Sequence, residues 1–267
     1  MKIVTRLTVL LGTLSFLLFA GSAWCDEPMA RLSDKDVISL AKTIDKQYAA
    51  FERALDSEFK RSILRGPSGE IRVDYYLEDL GDSIEQMGKR FTGSYSASGE
   101  ATELLRRADF MNSYVRKNPQ MRGANEWDVF GASLQQLAYA YGTSFPLPDD
   151  AAIRRIGDGE LEDAATAISK FSKQLPKTIR KETRGMKELS DTVKSIEAEL
   201  KSMAKLSGTL ASRIRSGKPA TAEARQLMES IGKVETYIAT EGMPAGVAEA
   251  WQAGARDRGK IAQAFQL

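Results

Sequence analysis

The chain has 267 residues, of which 28% are charged, with 38 Lys and Arg residues against 36 Asp and Glu residues. It contains one cysteine and no histidine, which excludes an internal disulfide, imidazole bases, Ser-His-Asp and Cys-His nucleophiles, and His-ligated metal centres. Both excess positive charges lie among the first six residues, so the rest of the chain is electrically balanced and gives no reason to expect nucleic-acid binding.

Residues 1–25 have the three parts of a secretory signal peptide. Lys2 and Arg6 give a positively charged start, residues 7–20 are mostly apolar, and three small residues follow at 21–23. The apolar part is shorter than the roughly 20 residues that span a bilayer. We therefore predict export with removal of this leader, and no integral membrane segment afterwards.

Cys25 raises the choice between a lipid anchor and ordinary cleavage. A bacterial lipoprotein signal has small residues directly before its cysteine, whereas Trp24 stands in that place here. Signal peptidase requires small residues one and three positions before the cut, and both Ala23 and Cys25 satisfy this rule as the last leader residue. We expect cleavage after one of them and a periplasmic or secreted protein, with lipid anchoring at Cys25 as the less favoured alternative.

Residues 26–145 predict an antiparallel helical bundle. Ser33 and Asp36 form a typical helix start, and apolar residues spaced three and four positions apart define four helices beyond it. The segment EIRVDYYL, residues 70–77, fits a helix better than a strand. The turns between these helices are GPSG at 66–69, TGSYSASG at 92–99 and Asn118-Pro119.

Residues 146–267 predict a long coiled-coil-like helical hairpin with a C-terminal closing helix, after a boundary in TSFPLPDD. The three-four alternation of apolar residues predicts one continuous helix from Lys177 to Arg215, about 58 Å long. A turn at SGKP leads to a returning helix for which Thr221 is predicted as the N-cap. The whole chain is thus predicted to be all-α, and we find no residue-level repeat of fixed period in it.

A stripe of positive charge, here called the basic stripe, is the candidate binding site. Its members recur three or four positions apart and fall within about 100° of one helix face. Pro176 lies among them, and the sequence leaves open whether it kinks or ends the helix. A solvated face would show the same pattern. The functional interpretation is a docking surface for an acidic helix, an anionic polymer or lipid headgroups. The stripe consists of Lys170, Lys173, Lys177, Arg180, Arg184 and Lys187.

Clusters of acidic residues have ordinary structural interpretations. The segment DGELED, residues 158–163, lacks the spacing of a calcium loop and fits the first turn of a helix, whose positive end favours carboxylates. Glu78, Asp82 and Glu85 follow helical spacing, but a di-iron bundle would also need histidine. We therefore interpret them as a solvated face and predict no metal and no cofactor.

Two further motifs are the basis of the two alternative functions. The pair Glu229-Ser230 also occurs in lytic transglycosylases, although the Gly-Met-Gln signature that accompanies it there is absent. The aromatic residues of 139–148 either line a small-ligand pocket or fill the end of a bundle.

The predicted function is that of an exported, non-enzymatic interaction or scaffold protein of the cell envelope, with no catalytic residue. It binds a protein partner or itself through extended helical faces, with an anionic polymer or lipid headgroups as other partners. The first alternative is a small-ligand-binding or sensory bundle. The second is a carboxylate-based peptidoglycan hydrolase.

Overall fold

A computed structural model describes residues 31–66, 69–151 and 153–267, and within these ranges it confirms the all-α class. The predicted signal peptide and Cys25 lie outside them. No helix of the described ranges combines the length and the hydropathy that a membrane span requires. The elements are α1 (Asp34–Ala54), α2 (Ser57–Lys60), β1 (Ile63–Gly66), β2 (Gly69–Arg72), α3 (Val73–Arg90), α4 (Ser98–Lys117), α5 (Ala124–Ala140), α6 (Asp158–Glu182), α7 (Ser190–Arg215), α8 (Thr221–Thr240), α9 (Ala245–Gln252) and α10 (Ala255–Phe265).

The first helix begins as predicted. The Ser33 hydroxyl accepts a hydrogen bond from the Asp36 backbone N–H, and the Asp36 carboxylate accepts one from the Ser33 N–H at 3.0 Å. This reciprocal capping box satisfies two N–H groups that would otherwise lack partners at the helix start. The apolar stripe from Val37 to Phe51 then faces the core.

The interpretation of residues 70–77 as helical is wrong for the first part of that segment. β2 pairs antiparallel with β1, Leu64 lies opposite Ile71, and α3 begins only at Val73. Gly69 has a φ of +115°, a conformation that favours glycine and that closes the hairpin here. Pairing with a partner strand decides this structure, and the spacing of apolar residues within one segment cannot reveal such a partner.

Four helices of the first half pack in a ring, in which α1 and α4 each contact both α3 and α5. The centre is aromatic. Trp127 lies edge-on to Phe51 and to Phe130, with ring centroids 4.9 and 5.1 Å apart, an arrangement that aromatic quadrupoles favour.

Four helices of the second half pack in a second ring, in which α6 and α8 each contact both α7 and α10. α6 and α7 run antiparallel, since Glu162 pairs with Arg215 while the Ser169 hydroxyl donates to the Ala204 carbonyl at 3.0 Å. α8 begins at Thr221, but its N-cap is Ala220 and no side chain caps it, so the prediction of Thr221 as the N-cap is wrong. The predicted closing helix is divided into α9 and α10.

The prediction of one helix from Lys177 to Arg215 is wrong. α6 ends at Glu182 and α7 begins at Ser190, with a short 3-10 turn between them. Gly185 takes a φ of +89° in this connection, so the chain leaves the helical path at a residue that tolerates the left-handed region. The apolar alternation continues across the break because both helices face the same core.

The buried hydrophobic residues form two clusters, one drawn from Val37 to Leu147 and the other from Ile156 to Phe265. The Asp34–Ala140 helices supply most of the first cluster, and α6 to α10 supply the second. The domain boundary near residue 146 stays a prediction.

The two halves repeat one helical arrangement, which contradicts the prediction of no repeat in the sequence. Asp34 and Asp158, each the first residue of its helix, are 124 residues apart, and the offset is 123 residues in the two helices that follow and 124 again at the tryptophans. We call residues 31–142 the first repeat and residues 155–266 the second. Equivalent buried positions include the pairs Ile44 and Ile168, Leu77 and Leu200, Ala101 and Ala224, Leu104 and Leu227, and Trp127 and Trp251.

Ion pairs recur at equivalent positions too. Arg90, the last residue of α3, pairs with Glu100 of α4 at 2.9 Å. Arg213, in the last turn of α7, pairs with Glu223 of α8 at 3.2 Å. α1, α3 and α4 therefore correspond to α6, α7 and α8, while α5 corresponds to α9 and α10 together. Few identical residues carry this correspondence, because most equivalent core positions hold different apolar side chains.

Candidate functional site

The basic stripe is divided between a helix and a turn. Lys170, Lys173, Lys177 and Arg180 lie exposed on α6, which continues through Pro176. The other two members, Arg184 and Lys187, lie exposed beyond the end of α6. The six side chains therefore do not share one helix face.

Arg180 is committed to an ion pair within the protein. Its Nε and Nη2 donate to the two Glu197 carboxylate oxygens at 2.6 and 2.9 Å, which joins α6 to α7. These hydrogen bonds raise the pKa of Arg180 and hold the guanidinium in a two-pronged geometry. Arg180 therefore stabilises the contact between α6 and α7, and its guanidinium is not free to bind a partner.

A groove between α6 and α7, here called the basic groove, collects lysines from both helices. Lys173 comes from α6, and Lys201 and Lys205 come from α7. The ion pairs that lysines form in the described ranges use other residues, namely Lys89, Lys181, Lys194, Lys233 and Lys260. The other lining residues of the groove are Ser172, Pro176, Glu197, Leu200 and Ala204.

The floor of the basic groove has unused hydrogen-bonding capacity. Ser172 is 2% exposed, and its hydroxyl has no hydrogen-bond partner among the described residues. Pro176 stands four positions later and has no N–H, so it cannot donate to the Ser172 carbonyl. Buried polar groups are normally satisfied, and this hydroxyl is an exception that lies closed beneath the surface of the groove.

Sequence reasoning missed Lys201 and Lys205 because it followed one helix at a time. The antiparallel pairing of α6 with α7 brings these two lysines beside Lys173, although they are about 30 positions away in the chain. The signal was present in the sequence as the spacing of Lys201 and Lys205, one helical turn apart.

A second groove, here called the acidic groove, lies between α1 and α3. Glu52, Glu78 and Asp82 line it, and Glu78 and Asp82 are exposed, as a solvated face requires. The ion pairs that α3 carboxylates form in the described ranges involve Asp74, Asp79 and Glu85 instead. The remaining lining residues are Tyr48, Lys60, Asp74, Leu77 and Gly81.

Tyr48 fills the floor of the acidic groove. Its hydroxyl donates to the Leu77 carbonyl, and a Cβ on Gly81 would lie 3.2 Å from its ring, so glycine leaves space for the tyrosine. Burial raises the pKa of Tyr48, and the nearby charges of Glu52 and Asp82 raise it further. The floor of this groove is therefore closed and its hydroxyl is already used.

The two grooves occupy equivalent positions in the two repeats but carry opposite charges. The lysines of α7 stand where α3 has carboxylates, whereas the apolar residue between the helices is leucine in both. The charge on the exposed side chains of α3 and α7 is thus reversed, whereas the leucine that packs between the helices is the same. The equivalent pairs are Tyr48 and Ser172, Glu52 and Pro176, Asp74 and Glu197, Leu77 and Leu200, Glu78 and Lys201, Gly81 and Ala204, and Asp82 and Lys205. Asp74 and Glu197 are acidic in both grooves, so the charge reversal is confined to the positions of Lys201 and Lys205.

A reciprocal network of charged residues joins the repeats. The Asp34 N–H donates to the Asp158 carboxylate and the Asp158 N–H donates to the Asp34 carboxylate, both at 2.8 Å. Arg155 binds Asp34 at 2.8 Å and Arg31 binds Asp158 at 2.6 Å. The DGELED segment therefore starts a helix, as predicted, and its first carboxylate also caps the helix of the other repeat.

The structure also locates the Glu229-Ser230 pair and the aromatic residues of 139–148. Glu229 lies exposed on α8 while Ser230 is buried beneath it. Tyr141 and Phe145 are buried in the first cluster, and the Tyr141 hydroxyl donates to the Ser96 carbonyl at 2.6 Å. Tyr139 and Tyr141 also line a pocket with Arg154 and Phe265, so both interpretations of this segment stay predictions.

Comparison with known proteins provides no relative: no family model, no curated protein and no solved structure matches this chain at a significant level. The basic and acidic grooves are therefore interpreted from their own chemistry.

Proposed function

We propose that the protein is an exported, non-enzymatic interaction protein of the cell envelope that binds an acidic partner protein in the basic groove. One observation carries this proposal. Lys173, Lys201 and Lys205 converge from two helices around the buried Ser172 hydroxyl, and all four groups lack a partner among the described residues.

The chemistry of the groove favours an acidic helix or loop of a protein. The apolar floor of Pro176 and Leu200 lies below a rim of lysines, which suits a segment with apolar residues on one face and carboxylates beside them. A carboxylate that reaches Ser172 would form a charge-assisted hydrogen bond with its hydroxyl. Lipid headgroups or a simple polyanion would use the lysines but leave the apolar floor uncovered.

The lysines are exposed, so their contribution is electrostatic and modest. Each exposed ion pair contributes about 0.2–1 kcal/mol, and salt screens it. Such charges mainly speed association and select the partner. We therefore expect binding that weakens as ionic strength rises.

Binding to a designed acidic peptide tests the proposal. The probe is a fluorescent amphipathic helix with leucine on one face and glutamate on the other, followed by anisotropy between about 50 and 300 mM salt. The groove variant carries Lys173→Glu, Lys201→Glu and Lys205→Glu. The matched control carries Arg116→Glu, Lys117→Glu and Arg122→Glu, the same charge change on exposed residues around the end of α4.

The groove variant should bind the peptide at least about tenfold more weakly than the wild type, the equivalent of 1.4 kcal/mol. The control should change the affinity less than about twofold. Equal affinity of the wild type and the groove variant would reject the basic groove as the binding site.

Export is the second part of the proposal and rests on the composition of residues 1–25. The intact mass of the protein recovered from its own cells tests it. A chain beginning at Trp24 or Asp26 in the periplasmic or secreted fraction supports cleavage, and a chain that retains Met1 in the cytoplasm would contradict it.

A further inference from the structure

We infer that the acidic partner is a second copy of this chain, whose acidic groove docks on the basic groove of the first copy. The inference rests on the proposed function because it uses the same basic groove. It names the partner and the surface that the partner presents.

The first argument is charge complementarity at equivalent positions. Lys201 and Lys205 occupy in α7 the places that Glu78 and Asp82 occupy in α3, so two grooves of one design carry opposite charges. Their charged side chains have the same one-turn spacing along the helix. A basic groove laid against an acidic one therefore matches lysine spacing with carboxylate spacing.

The second argument concerns the hydroxyl groups on the two floors. The Tyr48 hydroxyl is used by the Leu77 carbonyl, whereas the equivalent Ser172 hydroxyl has no partner among the described residues. Only the basic groove thus offers an unused donor, and only the acidic groove offers surplus carboxylates. Each groove therefore supplies the group that the other groove lacks.

The third argument is that the grooves of one chain do not meet. The contacts that join the repeats in the described ranges lie at the starts of α1, α4 and α6 and at the ends of α5 and α10. Glu78 and Asp82 remain exposed, as do Lys173, Lys201 and Lys205. Complementary charges that cannot pair within a chain are available to pair between chains.

The complementary grooves define which surfaces meet in the assembly. Each contact joins an acidic groove to a basic one, so the assembly is a two-fold dimer if both grooves of each copy are used at once and a head-to-tail chain or ring otherwise. Residues beyond the predicted leader carry no net charge, and overall repulsion therefore does not oppose association. A few exposed ion pairs give a weak, salt-sensitive contact.

Two charge-reversed variants test the inference in sedimentation velocity experiments on the full chain in its exported form. The first replaces Lys173, Lys201 and Lys205 by Glu, and the second replaces Glu52, Glu78 and Asp82 by Lys. All six residues lie on groove surfaces, and circular dichroism checks that both variants keep the helical content of the wild type.

The wild type should show a mass that rises with protein concentration and falls with salt. Each variant alone should remain monomeric, because one has two acidic grooves and the other has two basic ones. An equimolar mixture of the two should associate again. The control with Arg116, Lys117 and Arg122 replaced by Glu should associate like the wild type.

A wild type that stays monomeric at all concentrations, variants that associate like the wild type, or a mixture that stays monomeric would each overturn the inference. If the acidic peptide still binds the wild type in that case, only the identity of the partner is wrong. Loss of both peptide binding and self-association would reject the proposed function as well.

Discussion

Replacing Asp34 by Ala should destabilise the protein strongly, because it removes the carboxylate that neutralises a buried arginine. The Arg155 side chain is 2% exposed and that of Asp34 is 11% exposed. Arg155 donates to Asp34 at 2.8 Å, and it also donates to the Leu32 and Ala140 carbonyls at 2.7 and 3.0 Å. It cannot turn towards water without breaking these contacts.

Breaking a buried ion pair by removing one partner costs about 3–5 kcal/mol. The two carbonyl contacts remain in the Asp34→Ala variant, so we expect the lower end of this range. The equivalent change in the second repeat, Asp158→Ala, should cost less, about 1–3 kcal/mol. Its carboxylate is 22% exposed and its partner Arg31 is 10% exposed, so water can replace part of the lost interaction.

Urea denaturation followed by circular dichroism measures these free energies of unfolding. The control is Asp191→Ala, whose partner Lys194 lies at 2.9 Å but whose side chains are 94% and 73% exposed. Because both side chains are solvated, this change should leave the free energy of unfolding nearly unchanged. An Asp34→Ala variant no less stable than Asp191→Ala would refute the view that the network between the repeats is a major source of stability.

Substitutions of Tyr141, Gly254 and Gly259 give three further predictions. Burial raises the pKa of Tyr141 above the value of about 10 that a tyrosine has in the unfolded chain. The neutral phenol therefore contributes its full stabilisation below about pH 10, and this stabilisation is lost as the pH rises through the pKa of the folded state. Tyr141→Phe should therefore make the fall in melting temperature above pH 10 shallower, and an unchanged alkaline profile would contradict this. Gly254→Ala should cost about 1–3 kcal/mol because its Cβ would lie 3.0 Å from the Phe171 ring. Gly259→Ala on α10 meets no atom within 4 Å and should stabilise the protein by about 0.5–1 kcal/mol; urea denaturation of both variants checks the opposite signs.

The helices could be predicted from sequence because each buries one stripe against a continuous core. Ser33 marks the start of α1, which follows from the local rule of the capping box. The start of α8 follows only from the spacing of apolar residues, because its N-cap is Ala220 and not Thr221. The break after Glu182 could not be predicted, because apolar spacing continues across it and Gly185 alone marks the turn. The β1–β2 hairpin was missed since two strands define it jointly.

The candidate site was predicted only in part. Lys173 belongs to the predicted basic stripe, but Lys201 and Lys205 enter the basic groove through the antiparallel pairing of two helices. Arg184 and Lys187 would share a helix face with Lys173 only in one continuous helix, and α6 ends at Glu182. The correspondence of the repeats escaped detection because packing preserves apolar character and not residue identity, as the equivalent Val37 and Leu161 illustrate.

Chemical-shift mapping tests most directly whether the basic groove is the binding surface. Isotope-labelled protein is titrated with the amphipathic acidic peptide, and backbone amide shifts are followed along the chain. The largest changes should cluster on α6 and α7 around Lys173, Lys201 and Lys205. Changes concentrated elsewhere, or none at saturating peptide, would contradict the proposed function.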